Sequence, residues 1–324
     1  MEERSLGGSG VAVTRIMLGC GNFGGIGSSP AFFGQGTTKD DAFRLMDTAW
    51  DLGITTFDTA DAYGGGRSES FIGEWLTTKG QDVRDRIVIA TKTFNPMDDG
   101  ENHGLGRARV QRQLESSLRR LGVERVALYL AHDYDPATPQ EETLQAFGDL
   151  VRAGKVASIG ASNFTSEQVA EALELSEING LPRYEWVQNG FSLLEQGDSE
   201  TIFPLCHEHG IGYTPFSPLA GGWLTGKYRR GEAPPPGSRM TLRPEPYERY
   251  TSDRVFDALE SLKVQAVEQG VSMAGLALAW LLALDEVTAV IVGPGRADHL
   301  APAIEALSIS LPPSDRDSLT EVFR

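Results

Sequence analysis

Four reactive side chains stand at or just beyond the ends of three apolar runs. Asp58 closes GITTFD, Lys92 closes RIVIATK, His132 closes VALYLAH, and Tyr63 follows five residues after Asp58. A run that stays apolar to its last residue and then turns ionisable reads as a buried parallel strand opening at its C-terminal end into a site. Singly, each group has an ordinary reading: Lys92 a solvated strand end, Asp58 a helix N-cap, Tyr63 a rim aromatic, His132 a satisfied polar residue. Together, on consecutive strands, they suit a proton-transfer site built around a tyrosine.

The elements that must position them follow one pattern: a short apolar run, a turn, then an amphipathic helix. The runs end near Gly19, Asp58, Lys92, His132, Ala161, Gln188, Phe216 and Gly293, which makes eight strands. Helix starts are marked by Thr38 with Asp41, by Thr138-Pro139 with Glu141, and by Thr165 with Gln168, each arranged as a capping box. Val110, Leu114, Leu118 and Leu121 form one apolar stripe at helical spacing. Eight strand–helix units without a linker predict a (β/α)8 TIM barrel, read as one domain over residues 1–324. A doubly wound sheet would want GxGxxG after its first strand; GCGNFGG does carry glycines at that spacing (Gly19, Gly21, Gly24), and it is the count of eight strand–helix units that favours the barrel. Two additions are expected: a hairpin over residues 4–15 plugging the barrel bottom, and a loop from Ser217 to about Tyr250. A loop of that length is expected to be a lid or binding loop, on the same face as the four reactive groups.

The 324 residues, 40% of them hydrophobic, are enough for a large core, and the formal net charge is −16. That charge argues against nucleic acid or an acidic membrane surface as a partner. No segment approaches the roughly 18 uninterrupted apolar residues of a membrane span. The first residues carry no apolar signal core, and two cysteines make no disulfide framework, so a cytoplasmic location is expected. His207 and His209 lack a third ligand, and no metal is expected.

Over essentially its whole length the chain resembles the aldo-keto reductases. The resemblance rests on GITTFDTADAYGGGRSE, IVIATK, LYLAHDYD, VRAGKVASIGASNF, WVQNGFSLLE and TPFSPLAGGWLTGKY, in that order. GGWLTGKY followed by the long loop is most similar to the bacterial and potassium-channel-β-like branch. The resemblance implies an oxidoreductase that interconverts aldehydes or ketones and alcohols. It assigns Tyr63 as general acid, Lys92 as modulator of the tyrosine pKa, Asp58 as partner of Lys92, and His132 as a second donor to the substrate oxygen. The chemistry agrees: hydride arriving at a carbonyl carbon leaves negative charge on oxygen, which needs a proton donor, and a lysine cation lowers a tyrosine pKa.

The resemblance also implies a nicotinamide dinucleotide held without a Rossmann motif. Ser162, Asn163 and Gln188 would hold the carboxamide, and Phe216 would stack beneath the ring. Ser217, Pro218, Leu219 and Gly221, helped by Lys227, would wrap the pyrophosphate. Cys20, Gly21, Gly293, Arg296 and His299 complete the implied cofactor set. Arg239 matches a loop arginine that clamps a 2′-phosphate, so NADP(H) is favoured over NAD(H). After the last strand, however, Gly295, His299 and Pro302-Ala303 depart from the family's usual adenosine-end residues. Phe23, Phe32, Phe33, Phe94, Tyr134, Phe191 and Trp223 are candidates for an apolar pocket wall, with Arg67 and Arg107 within possible reach of an anionic substrate. The expected partner is a small carbonyl or alcohol, and the chain a monomer or homo-oligomer. Two other functions keep the barrel: a nicotinamide-sensing regulatory subunit with slow turnover, and a Schiff-base lyase on Lys92, which Asp58 disfavours by holding the lysine charged.

Overall fold

A computed structural model of the chain describes residues 1–98 and 103–324. Strands β1 (Glu3–Ser5) and β2 (Ala12–Thr14) pair antiparallel as the expected hairpin. Eight further strands follow: β3 (Ile16–Gly19), β4 (Thr56–Asp58), β5 (Val88–Thr93), β6 (Val126–Ala131), β7 (Val156–Ser162), β8 (Trp186–Gln188), β9 (Gly212–Tyr213) and β10 (Val290–Val292). They form one parallel sheet in the order β10-β3-β4-β5-β6-β7-β8-β9. The ends of that row meet: Tyr213 bridges Val287, Thr288 N–H donates to the Tyr213 carbonyl at 2.8 Å, and Ile291 N–H donates to the Pro215 carbonyl at 3.1 Å. The sheet is therefore a closed (β/α)8 barrel.

Side chains alternate across each strand, so one residue in two points inward. Met17, Ala90, Leu128, Leu130, Trp186, Ala289 and Ile291 fill the barrel interior and pack on Leu6 and Val13 of the hairpin. Their neighbours Leu18, Phe57, Ile89, Tyr129, Ile159 and Val187 face the helices in a second, larger core. Because both faces are buried, the strands read as nearly continuous apolar runs. Gly160 must be glycine: a Cβ there would lie 2.6 Å from the Trp186 carbonyl oxygen.

The hairpin is held under the barrel, Gly7 lying against the backbone of Glu185 and Gly212. Beside it, Arg15 fastens the seam, its buried guanidinium donating to the carbonyls of Leu282 (2.7 Å), Val287 (2.7 Å) and Thr288 (2.5 Å). With that end filled, only the C-terminal face is left for a site.

The helices begin largely where capping predicts. Thr165 and Gln168 form a full capping box, and Thr38 accepts from Asp41 N–H. Thr138 does not cap. The helix Gln140–Arg152 starts with Pro139 at its cap position, and the Thr138 hydroxyl donates instead to Asp135 at 2.7 Å. That carboxylate also accepts the N–H groups of Leu105 and Ala137 and so organises its own turn. Residues 217–250 form a strap with short helical turns, Ala220–Thr225, Arg239–Leu242 and Glu248–Tyr250.

Candidate active site

Alternation sets the site. Ala90 points into the barrel, so Lys92, two residues on, does too, and the same step carries Trp186 to Gln188. Thr56 and Asp58 stand in the same relation on β4, where Gly19↔Asp58 and Asp58↔Ala90 are register partners. The top inward layer of the barrel is thus polar above an apolar fill.

Lys92 is fully buried and donates to Asp58 Oδ1 at 2.6 Å and to the Thr59 carbonyl at 2.8 Å. Its Nζ lies 3.5 Å from the Tyr63 hydroxyl and 5.0 Å from that ring's centre. Gln188 Nε2 donates to the other Asp58 oxygen at 2.9 Å, so both carboxylate oxygens are held. The Tyr63 and His132 rings meet edge to face with centres 5.4 Å apart. The structure brings all four expected reactive groups together.

The electrostatics differ in one respect from expectation. Burial disfavours the Lys92 ammonium, but Asp58 and Tyr63 outweigh it and its pKa is raised, so the lysine is a cation at neutral pH. For Tyr63 burial is the largest influence and raises the pKa above its usual value; Lys92 pulls it down without overcoming burial. The expected net lowering does not occur, and Tyr63 rests as a phenol. Burial, aided by Lys92, pushes His132 well below the ordinary histidine range, so it is neutral.

Among the described residues three non-glycines have left-handed backbone, and all three lie on this face: Asn163 (φ 60°), Ser217 (φ 53°) and Ala220 (φ 47°). Such strain persists where the surrounding structure imposes it. Asn163 Nδ2 donates to the His132 carbonyl at 2.8 Å and to the Ser162 hydroxyl at 3.2 Å, tying β7 to β6. Phe216 is half-buried against Gly190. After Ser217-Pro218-Leu219, Gly221 packs so closely that a Cβ would lie 2.5 Å from the Tyr247 ring.

The strap brings three cations to this face. Arg239 donates to the Asn22 side-chain oxygen in the first strand–helix loop, and Arg243 covers the Phe32 ring at 5.5 Å. Lys227 is near enough to feel the charge of Arg239. Among the described residues none of the three has a carboxylate within ion-pair distance, although acidic groups far outnumber basic ones in the chain.

Other expected residues fare unevenly. Gly21 lies beside the Tyr63 ring, but Cys20 is buried and presents only backbone, its thiol pKa raised well above normal by burial. Arg296, expected in the cofactor set, is exposed and paired with Asp298 at 3.0 Å. His299 Nδ1 accepts from Gly295 N–H, two residues past Gly293. Phe33 lies against Gly65 in the turn after Tyr63, Phe94 against His103, and Tyr134 against Phe164. Phe23, Phe191 and Trp223 are corrected: all three are buried packing residues. Phe191 stacks on Trp280, and Trp223 sits among Tyr228, Tyr250 and Phe256 inside the strap. Arg107 pairs with Asp149, and Arg67 donates to the Gly64 carbonyl. His207 and His209 lie in the last turn of the helix Asp198–His209. No group of three or more metal-ligand residues is assembled among the described residues.

Three participants were not singled out from sequence. The Thr59 carbonyl is backbone and leaves no sequence signal. Asn22 sits inside the glycine-rich GCGNFGG, which could have marked it. Arg243 lies four residues after Arg239 in a basic loop. No described helix is long and apolar enough to cross a membrane.

The profile of the Aldo/keto reductase family matches residues 15–324. The uncharacterized oxidoreductase YrpG of Bacillus subtilis is 36% identical, covering 100% of this chain and 96% of its own. The L-glyceraldehyde 3-phosphate reductase of Escherichia coli K12 is 33% identical over 95% of this chain and 88% of its own. A probable voltage-gated potassium channel subunit beta of Arabidopsis thaliana is 31% identical over 100% and 97%.

Proposed function

The chain belongs to the aldo/keto reductase family, an NAD(P)H-dependent oxidoreductase, and from that premise we propose that it reduces small aldehydes or ketones with NADPH, using Tyr63 as the acid. The observation that carries the reading is the buried Asp58–Lys92–Tyr63 chain, with Lys92 charged and Tyr63 a neutral phenol 3.5 Å away. A bound nicotinamide supplies the hydride. His132, as a neutral imidazole, donates a hydrogen bond to the carbonyl oxygen and orients it. As negative charge develops on that oxygen, Tyr63 gives up its hydroxyl proton. The phenolate left behind faces the Lys92 ammonium, which stabilises it as it forms. Asp58, held by Gln188 as well as by Lys92, fixes the lysine's position. Solvent returns the proton to Tyr63, and run in reverse the same groups oxidise an alcohol.

The face fits an anionic dinucleotide. Among the described residues Lys227, Arg239 and Arg243 have no acidic partner, and the tight turn through Ser217 and Gly221 runs on to Gly222, which lies against Lys227. Ser162, Asn163 and the Gln188 side chain would hold a carboxamide. Arg239, rather than the already paired Arg296, would take the 2′-phosphate, where a guanidinium fork suits a phosphate.

Absorbance at 340 nm with NADPH and a panel of small aldehydes and ketones tests the proposal. Tyr63→Phe is expected to lower turnover by on the order of 10²–10⁴, and turnover that survives the substitution unchanged removes the mechanism. Absence of turnover in the wild type would favour the regulatory function instead, in line with the similarity to the Arabidopsis β subunit.

A further inference from the structure

On the helix-facing side of β5 lies a second polar group that the proton transfer does not use. Thr91 and Thr93 alternate with Lys92 and so point outward, toward the helices Arg67–Thr77 and Arg107–Leu121. Glu69 is fully satisfied there, accepting from the Thr91 hydroxyl at 2.5 Å and from Arg120 Nε at 2.7 Å. Asp61 is not. It is completely buried, and among the described residues neither carboxylate oxygen has a partner in hydrogen-bond geometry, the Thr93 hydroxyl beside it being unpartnered as well.

The charged and titratable groups facing Asp61 are Glu69 on one helix, Arg109 and Arg120 on the other, and Tyr129 on β6. Burial, then the charge of Glu69, push its carboxyl up to about 7, with Thr93 and the two arginines pulling the other way. A carboxylate in such surroundings must find water or partners when it ionises. Asp61 is also poorly placed to move freely. Its N–H donates to the Lys92 carbonyl at 3.0 Å, and Tyr63 follows two residues later. The carboxyl therefore hangs from the short segment that sets the Lys92–Tyr63 distance.

We propose that Asp61 is a positioning residue of the reductase site that acts as a neutral carboxylic acid, and that its ionisation pulls the Asp58–Tyr63 segment out of register with β5 and lowers turnover. The inference rests on the reductase function proposed above.

Asp61→Asn keeps the shape and cannot ionise. Steady-state kcat with NADPH, measured for both proteins between pH 5.5 and 9, isolates Asp61, because every other titration is common to the two. The ratio of wild-type to Asp61→Asn kcat is expected to fall about tenfold between pH 6 and pH 8, as the protonated fraction of a group titrating at about 7 falls from near 0.9 to near 0.1. A ratio constant within twofold would overturn the proposal. Urea unfolding gives an independent reading in a different pH window. A carboxyl with a raised folded pKa holds more protons folded than unfolded, so wild-type stability relative to the variant drops between pH about 4 and about 7 and is level above. No such drop would equally refute a neutral Asp61 in the folded protein. Should Asp61→Asn fail to fold, Glu69→Gln carries the test: removing that charge shifts the fall in kcat to lower pH than in the wild type, whereas an unmoved profile counts against the proposal. If no carbonyl is reduced at all, the proposed function fails, and the unfolding series still decides whether Asp61 is neutral.

Discussion

Replacing Lys92 with methionine keeps most of the side-chain volume and deletes the ammonium. Its pair with Asp58 is 0% and 3% exposed on its two sides, so no solvent screens the carboxylate left behind. Asp58 would keep one hydrogen bond, from Gln188 at 2.9 Å, and the Thr59 carbonyl would lose its donor. Breaking a buried pair by removing one partner costs about 3–5 kcal/mol, whereas an exposed pair is worth about 0–1 kcal/mol. Lys92→Met is therefore expected to lose about 3–5 kcal/mol in urea unfolding at pH 7. Adding Asp58→Asn neutralises the stranded charge, so the double variant is expected to be more stable than the sum of the single losses by about 2 kcal/mol or more. NADPH turnover, followed in parallel, should drop by on the order of 10²–10⁴ in both. A loss below about 1 kcal/mol for Lys92→Met, with additive singles, would refute the claim that this is a dry, mutually dependent pair.

Arg239→Ala should raise the KM for NADPH at least several-fold and leave that for NADH unchanged; equal shifts would remove the 2′-phosphate assignment. His132 is held neutral when folded, so the unfolded chain binds the extra proton first as pH falls below about 6.5, and folded stability declines by up to about 1.4 kcal/mol per pH unit in that range. His132→Asn should flatten this slope in unfolding measured from pH 7 down to pH 5, and an unchanged slope would count against a buried neutral imidazole. Asn163→Ala should destabilise by about 1–3 kcal/mol, because alanine resists the left-handed backbone and the bonds to His132 and Ser162 are lost. Asn163→Gly should recover the backbone share in thermal or urea melts; glycine no better than alanine would show that φ 60° carries no strain.

Legibility from sequence followed the range of the interaction. Lys92 and Asp58 could be placed because strand alternation is local and the two strands are neighbours. The Gln188–Asp58 bond joins residues 130 apart across the barrel, and nothing in either segment encodes it. Phe191 and Trp223 misled because aromatic identity does not say which way a residue faces once it leaves a strand. Both turn into packing clusters instead of the opening. Thr138 was read as a cap by its spacing, and a nearby carboxylate outcompeted the helix for its hydroxyl. The Tyr63 shift was misjudged because a neighbouring cation can be read from sequence while the depth of burial cannot.

Arg15 bears on how the molecule is made. Its three carbonyl acceptors lie 267 to 273 residues further along the chain, on the far side of every helix and barrel strand between. Until β10 exists, β3 is an uncovered edge, and the guanidinium beside it has only water to bind. Contacts this distant in sequence form late and slow the route to the native state. An incomplete chain emerging from synthesis would carry an open, curled sheet with apolar margins on both sides, a species prone to association. Closing the ring pairs Ile16, Met17 and Leu18 with β10 and hides that edge, so completion of the barrel that carries the site and protection from aggregation share one step.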